Sequence, residues 1–248
     1  MTTPSERTAL ITGSGKNIGR AVALRLAKDG LRVIINGSTD QQACEQVAED
    51  CRAFGVEAIV VMADVGTLEG TSHLASQAFE RFGRVDVLVN NAAIRPSSKF
   101  LEMDEDEWDR VLAVNLGQAF RLCRACLPGM VEAGWGRVIN FAGMNAIQGY
   151  NGRAHVSVSK HAVWGLTKSL AKEFAPNGIT ANIISSGPIQ SDHKDPEMTA
   201  HIEAMKSRVP MGRLGKPEEV AASVALLASN DGAFISGQLI QVNGGTET

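Results

Sequence analysis

Thr8-Ala9-Leu10-Ile11-Thr12-Gly13-Ser14-Gly15-Lys16-Asn17-Ile18-Gly19 is the stretch whose reading decides the fold. A short run of strand character enters a glycine-rich turn, and Ile18 to Lys28 follows with helical periodicity. In a strand–turn–helix setting such a string predicts a dinucleotide site: Gly13 permits the tight turn, and Gly19 lets helix and strand approach. The free N–H groups at the helix start then face a pyrophosphate. Gly13, Gly15, Lys16, Asn17, Ile18 and Gly19 are therefore candidate cofactor-binding residues.

Outward from this stretch, strand-length apolar runs alternate with amphipathic segments to the end of the chain. The strand candidates are Thr8 to Ile11, Arg32 to Asn36, Ala58 to Met62, Val85 to Asn90, Arg137 to Phe141, Thr180 to Ser185 and Gln238 to Val242. Their continuous Val/Ile/Leu character suits strands covered on both faces. The helix candidates are Ile18 to Lys28, Gln41 to Phe54, Leu68 to Phe82, Glu105 to Glu132, Ser157 to Phe174, Met198 to Arg208 and Glu218 to Ala228. Gly30, Gly55, Gly83 and Gly178 each stand just past a periodic run and mark helix stops. The alternation predicts an α/β architecture, one doubly wound, mostly parallel seven-stranded sheet with its ligand crevice at the carboxyl ends of the strands.

Composition narrows the class of function. With 248 residues one core explains the length, and 44% apolar residues exclude a disordered chain. A net charge of −3 without a long basic run excludes the electrostatic footprint of a nucleic-acid binder, so the expected partner is a small molecule. No segment approaches 18 uninterrupted apolar residues, and the start lacks a basic-then-apolar leader, so the expectation is a cytoplasmic protein without a membrane partner. Cys123 and Cys126 form a C-x-x-C in a helical segment with no second Cys/His pair at ligand spacing, which reads as packing and predicts no metal.

The loop from Thr12-Gly13 to Ile18-Gly19 resembles the coenzyme loop of the short-chain dehydrogenase/reductase family, and the resemblance runs through nearly the whole chain. Asp64-Val65, Asn90-Asn91-Ala92-Ala93, Val114-Asn115, Gly212 to Val220 and Gly237 to Gly245 resemble that family's later motifs. It implies a single Rossmann-type domain over residues 1–248 with a substrate lid near 187–210. The lid's Met198, Met205, Met211 and Pro210 read as an adaptable apolar wall. It also implies cofactor contacts at Asp64, Val65, Asn91 and Ile189, a catalytic Asn115, and a Lys160 that binds the nicotinamide ribose. A homo-oligomer, dimer or tetramer, is implied through the helices Glu105 to Glu132 and Ser157 to Phe174.

Two departures concern the cofactor. Asn17 replaces the family's middle glycine, and Asn is the side chain most tolerant of positive φ, with Gly15 adding freedom nearby. Gly37 replaces the acidic residue that pairs with the adenosine ribose in NAD-users, and Ser38, Thr39 and Lys16 stand close by to receive a phosphate. NADP(H) is therefore expected over NAD(H).

The third departure concerns the chemistry. The family places a Tyr four residues before its Lys and a Ser thirteen residues before the Tyr; counting back from Lys160 gives Val156 and Gly143. The single Tyr of the chain is Tyr150, outside that position. Positioned acid–base groups contribute about 10²- to 10⁴-fold, so the usual hydride chemistry needs substitutes. Tyr150 and His155 are the candidate proton donors beside Asn115 and Lys160; Ser157 and the lid residues Asp192 and His193 complete the set. The leading expectation is a divergent NADP(H)-binding enzyme of this family that acts on a carbonyl or secondary alcohol with a non-standard proton donor. The alternatives are a non-redox enzyme on the same fold, a hydrolase or lyase, and a catalytically inactive NADP(H)-binding subunit.

Overall fold

The computed structural model describes residues 6–191 and 204–248. Seven strands form one sheet: β1 (Thr8–Ile11), β2 (Arg32–Gly37), β3 (Ala58–Met62), β4 (Val87–Asn90), β5 (Gly136–Phe141), β6 (Ile179–Ser186) and β7 (Leu239–Val242). Their order is β3-β2-β1-β4-β5-β6-β7, and every neighbouring pair is parallel. Strand order reverses beside β1, between β2 and β4, which is where a doubly wound sheet opens its ligand crevice.

The helices are α1 (Asn17–Lys28), α2 (Gln41–Arg52), α3 (Leu68–Phe82), α4 (Glu105–Leu112), α5 (Gln118–Ala133), α6 (Ala154–Phe174) and α7 (Pro217–Ala228). They cover both faces, which is why the strands read as unbroken apolar runs. Ala9 and Ile11 of β1 pack with Val22 and Leu26 of α1 and Val224 of α7 on one face. Leu10, between them, packs with Leu74 of α3 and Leu122 of α5 on the other. The four glycine stops all hold, with φ of 91° at Gly30, 82° at Gly55, 78° at Gly83 and 72° at Gly178.

The structure departs from the sequence reading of the helices in two places. The helix expected from Glu105 to Glu132 is divided by a π turn at Ala113–Gly117 into α4 and α5, and Asn115 sits in that turn. The helix expected from Ser157 starts earlier, at Ala154. Residues 192–203, which contain Asp192, His193 and most of the helix expected from Met198, lie outside the described residues. Cys123 and Cys126 are packing groups: both are buried in the core, where burial pushes the Cys123 thiol up to about 12. Among the described residues no cluster of His, Cys, Asp or Glu is arranged to hold a metal.

A buried polar chain ties the sheet centre to α6. Asn90 Nδ2 donates to Asn140 Oδ1 at 2.8 Å, Asn140 Nδ2 donates to Thr167 Oγ1 at 2.9 Å, and Thr167 Oγ1 donates to Val163 O at 2.8 Å. Asn140→Ala removes both contacts of its amide and strands a buried donor, which costs about 1–3 kcal/mol. Thermal unfolding of the variant is expected roughly 2–12 °C below the parent; an unchanged midpoint would contradict the role given to this chain.

Candidate active site and nucleotide cleft

The turn after β1 is fixed by side chains from both neighbouring strands. Asn91, just past β4, donates its Nδ2 to Thr12 O at 2.9 Å and to Gly13 O at 3.0 Å. Thr12 Oγ1 accepts in return from the N–H groups of Asn91 and Ala92, each at 3.0 Å. From the other side, Asn36 Oδ1 accepts from Gly13 N at 3.3 Å, and Ser14 Oγ accepts from Asn36 N at 3.0 Å. The backbones approach so closely that a Cβ on Gly19 would collide with Gly13 O and lie 2.8 Å from Asn91 Nδ2.

Asn17 has φ of 51° and, among the described residues, is the one non-glycine with positive φ. The asparagine itself thus supplies the left-handed turn; Gly15 does not adopt positive φ, contrary to the help expected of it. What Gly15 supplies is space, since a Cβ there would lie 2.9 Å from Cys44 Sγ. Lys16 gives α1 no side-chain cap, and the first turn carries no acidic residue, so the helix start offers its N–H groups to a ligand.

A cleft of about 360 Å³ opens above this turn. Gly13, Gly15, Lys16, Asn17, Ile18 and Gly19 line its floor, Ser38, Thr39, Asp64 and Val65 one wall, and Asn91 to Arg95 the other. Burial would raise the Asp64 carboxyl, but the Gly66 N–H and the Arg110 guanidinium outweigh it and hold the group below its ordinary range. Arg110 Nη2 reaches both Asp64 oxygens, at 2.8 and 3.0 Å. At Gly37 a Cβ would lie 2.5 Å from Cys44 Sγ, so a carboxylate there requires the thiol to move. The nearest acid along the chain, Asp40, caps α2 by accepting from Ala43 N at 2.9 Å. Ile189 does not line the cleft; it bridges to Gly215 and packs against the core.

Past the cleft lies the pair expected to do chemistry. Asn115 is buried; its amide accepts from Ile94 N at 2.9 Å and donates to Ile94 O at 3.0 Å and Ser159 Oγ at 3.2 Å. Lys160 is 4% exposed and donates from Nζ to Phe141 O at 2.7 Å. Burial first, and the Arg95 guanidinium second, pull its ammonium down to about 7.

Val156 is completely buried. Gly143 has φ of 69°, so a serine there would be strained even though the nearest atom to a Cβ is Ser186 O at 3.9 Å. His155 is also fully buried, and both ring nitrogens are engaged: Nδ1 accepts from Val156 N at 3.0 Å and Nε2 lies 3.0 Å from Glu107 Oε1. Tyr150 is half-buried; burial foremost and Glu247 next raise its phenol, against Arg208 and Arg153. Ser157 Oγ is buried with no hydrogen-bond partner among the described residues.

A family model described as enoyl-(acyl carrier protein) reductase matches residues 13–247. A 3-oxoacyl-(acyl-carrier-protein) reductase of Staphylococcus aureus is 36% identical over 239 residues, 96% of this chain and 97% of the relative. The chain belongs to the short-chain dehydrogenase/reductase family. Nodulation protein G of Azospirillum brasilense is 35% identical over 241 residues, 97% of this chain and 98% of the relative. Among solved structures, an acetoin dehydrogenase of Salmonella typhimurium superposes with a TM-score of 0.89 at 31% identity, covering 97% of this chain and 95% of that one.

Within this family fold, sequence reasoning overlooked Asn36, Cys44, Arg95 and Arg110, all of which line the cleft. Asn36 carried a signal, since a polar residue closing an apolar strand is costly to bury without a structural bond. Cys44, Arg95 and Arg110 carried none, because their roles depend on partners brought in by the fold.

The perturbation of Lys160 makes a testable statement about stability. Its folded value, about 7, lies below its ordinary 10.5, so between those pH values the unfolded chain binds a proton that the folded chain does not. The native protein must therefore gain stability as pH rises through that window, with the penalty fully present below it. Relative to a Lys160→Met variant, nucleotide-free protein is expected to gain on the order of a few kcal/mol across the window. A pH-independent difference between the two unfolding curves would contradict the burial of a charged ammonium.

Proposed function

We propose that this protein is an NADP(H)-dependent oxidoreductase that interconverts a carbonyl and a secondary alcohol, with a proton donor other than the family's Tyr. The observation that carries this reading is one continuous surface, from the uncapped start of α1 along the nucleotide cleft to Arg95, the charge that acts on buried Lys160. The nicotinamide of a bound cofactor supplies or accepts the hydride at C4. Gly13 to Gly19 and Asn91 would hold its pyrophosphate side, Asp64 and Val65 its adenine side, and Lys160 its nicotinamide ribose. Preference for the 2′-phosphate is supported by the space that Cys44 denies to a carboxylate at Gly37, and by exposed Lys16, Ser38 and Thr39 at that end.

Asn115 positions the Ile94 backbone and the Ser159 hydroxyl, while Lys160 Nζ, titrating near neutrality, is the group best matched to hold and return a proton. Tyr150 is the remaining candidate donor, while His155, with both ring nitrogens engaged by Val156 N and Glu107, is placed to position α6 against α4. The left-handed backbone at Gly143 supports a site built without the hydroxyl, because restoring a side chain there costs about 1–2 kcal/mol. We further propose a cytoplasmic homo-oligomer, dimer or tetramer, supported by exposed Phe120 on α5 and Val158 on α6.

The complete burial of Val156, which leaves no family phenol facing the cleft, favours one second reading, a catalytically inactive NADP(H)-binding subunit. Incubating the full chain with NADPH deuterated at nicotinamide C4 and a broad panel of aldehydes and ketones separates the two. The expected outcome is deuterium at the product carbinol carbon, with Lys160→Met and Asn115→Ala slower by about 10²- to 10⁴-fold. Tight NADPH binding with no deuterium in any product would overturn the oxidoreductase and leave the inactive subunit.

A further inference from the structure

The adenine side of the cleft carries a guanidinium to which the reading above gives no part. Arg110, on α4, lines the cleft together with Asp64, Val65 and Val114. Its Nη2 donates to Asp64 Oδ2 at 2.8 Å and to Oδ1 at 3.0 Å, and Asp64 Oδ1 also accepts from Gly66 N at 2.9 Å. The fold leaves a seat for this group: a Cβ on Gly66 would collide with Arg110 Nη1, and would lie 2.7 Å from Val114 Cγ2 and 3.0 Å from Arg110 Cζ. The Arg110 and Asp64 side chains are nevertheless 46% and 41% exposed, and an ion pair so open to water adds little to stability. Its placement on the cleft wall is better explained by a ligand.

We propose that Arg110 is a specificity-determining residue that reads the cofactor's base jointly with Asp64: Asp64 Oδ2 accepts from the adenine 6-amino group, and the Arg110 guanidinium donates to the ring nitrogen beside it. The inference rests on the cofactor reading above and adds a residue to it. An ionised carboxylate has about four acceptor sites, two on each oxygen. Among the described residues Oδ1 has both filled, by Gly66 N and Arg110, whereas Oδ2 has only Arg110 and keeps one free. The guanidinium bonds through Nη2 alone, which leaves the N–H groups of Nη1 and Nε as donors. The pair thus sets an acceptor beside donors, and adenine sets its amino donor beside an acceptor nitrogen, in matching order. Burial would raise the Asp64 carboxyl, but the Gly66 N–H and Arg110 keep it low, so at neutral pH it accepts and does not donate. A base with an oxygen in place of the amino group would turn that oxygen toward this carboxylate. Val65 and Val114, both buried apart from their cleft edge, offer apolar surface for a flat base.

The test compares two nucleotides that differ only in the base. The full chain is titrated with NADPH and with the analogue in which hypoxanthine replaces adenine, each followed by nicotinamide fluorescence. The parent is expected to bind NADPH about tenfold or more tightly than the analogue. In Arg110→Met, NADPH is expected to weaken by about tenfold and the analogue by about twofold or less, so that most of the preference for adenine is lost. The unfolding midpoint of the nucleotide-free variant is expected within about 4 °C of the parent. Equal affinities for the two nucleotides in the parent, or an undiminished preference in the variant, overturns the proposal. A midpoint lowered well beyond that range also overturns it, by assigning Arg110 to the fold and not to the base. Failure of the parent to bind NADPH at all overturns the cofactor reading itself, and this inference with it.

Discussion

The side-chain amide of Asn91 is the contact on which the nucleotide cleft depends. By donating to two successive carbonyls of the turn after β1, at 2.9 and 3.0 Å, it holds the Thr12-Gly13 backbone against the end of β4. Asn36 grips the same turn from β2. Two strands on opposite sides of β1 thus fix the turn at the point where strand order reverses. Such a turn is pre-organised for an anion, because its N–H groups are aimed before any ligand arrives.

A second set of contacts shapes what the cleft accepts. Cys44 Sγ sits against the backbones of both Gly15 and Gly37, so one small, buried side chain on α2 uses the space of two absent Cβ atoms. Burial, and then the charges of Asp40 and Glu45, raise this thiol, which therefore acts as filler. At the other end, the π turn in front of α5 carries Asn115, whose amide is shared between Ile94 and Ser159. The site is hence assembled from β4, α4–α5 and α6, three elements far apart in sequence, and the Asn115 amide is satisfied before a ligand enters.

Much of this was legible in the sequence because it is local. Strand positions followed from unbroken apolar runs, helix ends from glycines at positive φ, and the tolerance of Asn17 for a left-handed backbone from its side chain alone. The π turn was not legible: one extra residue per turn leaves the apolar periodicity of Glu105 to Glu132 almost intact. Nor was the engagement of His155, since Glu107 lies 48 residues away and only the packing of α4 on α6 brings them together. The left-handed backbone at Gly143 is similarly invisible, because glycine says that a positive φ is permitted and not that it is used. Ile189, carried over by resemblance, packs on Gly215, where an added Cβ would lie 2.6 Å from its Cδ1.

We propose the cleft as a pyridine-nucleotide site whose ribose end favours a phosphate over a free hydroxyl. Equilibrium titration of the full chain with NADPH and with NADH, followed by nicotinamide fluorescence, tests it most directly. A carboxylate-free, lysine-bearing ribose end predicts NADPH binding tighter than NADH by about tenfold or more. NADH binding as tightly as NADPH, or neither nucleotide binding, would contradict the account.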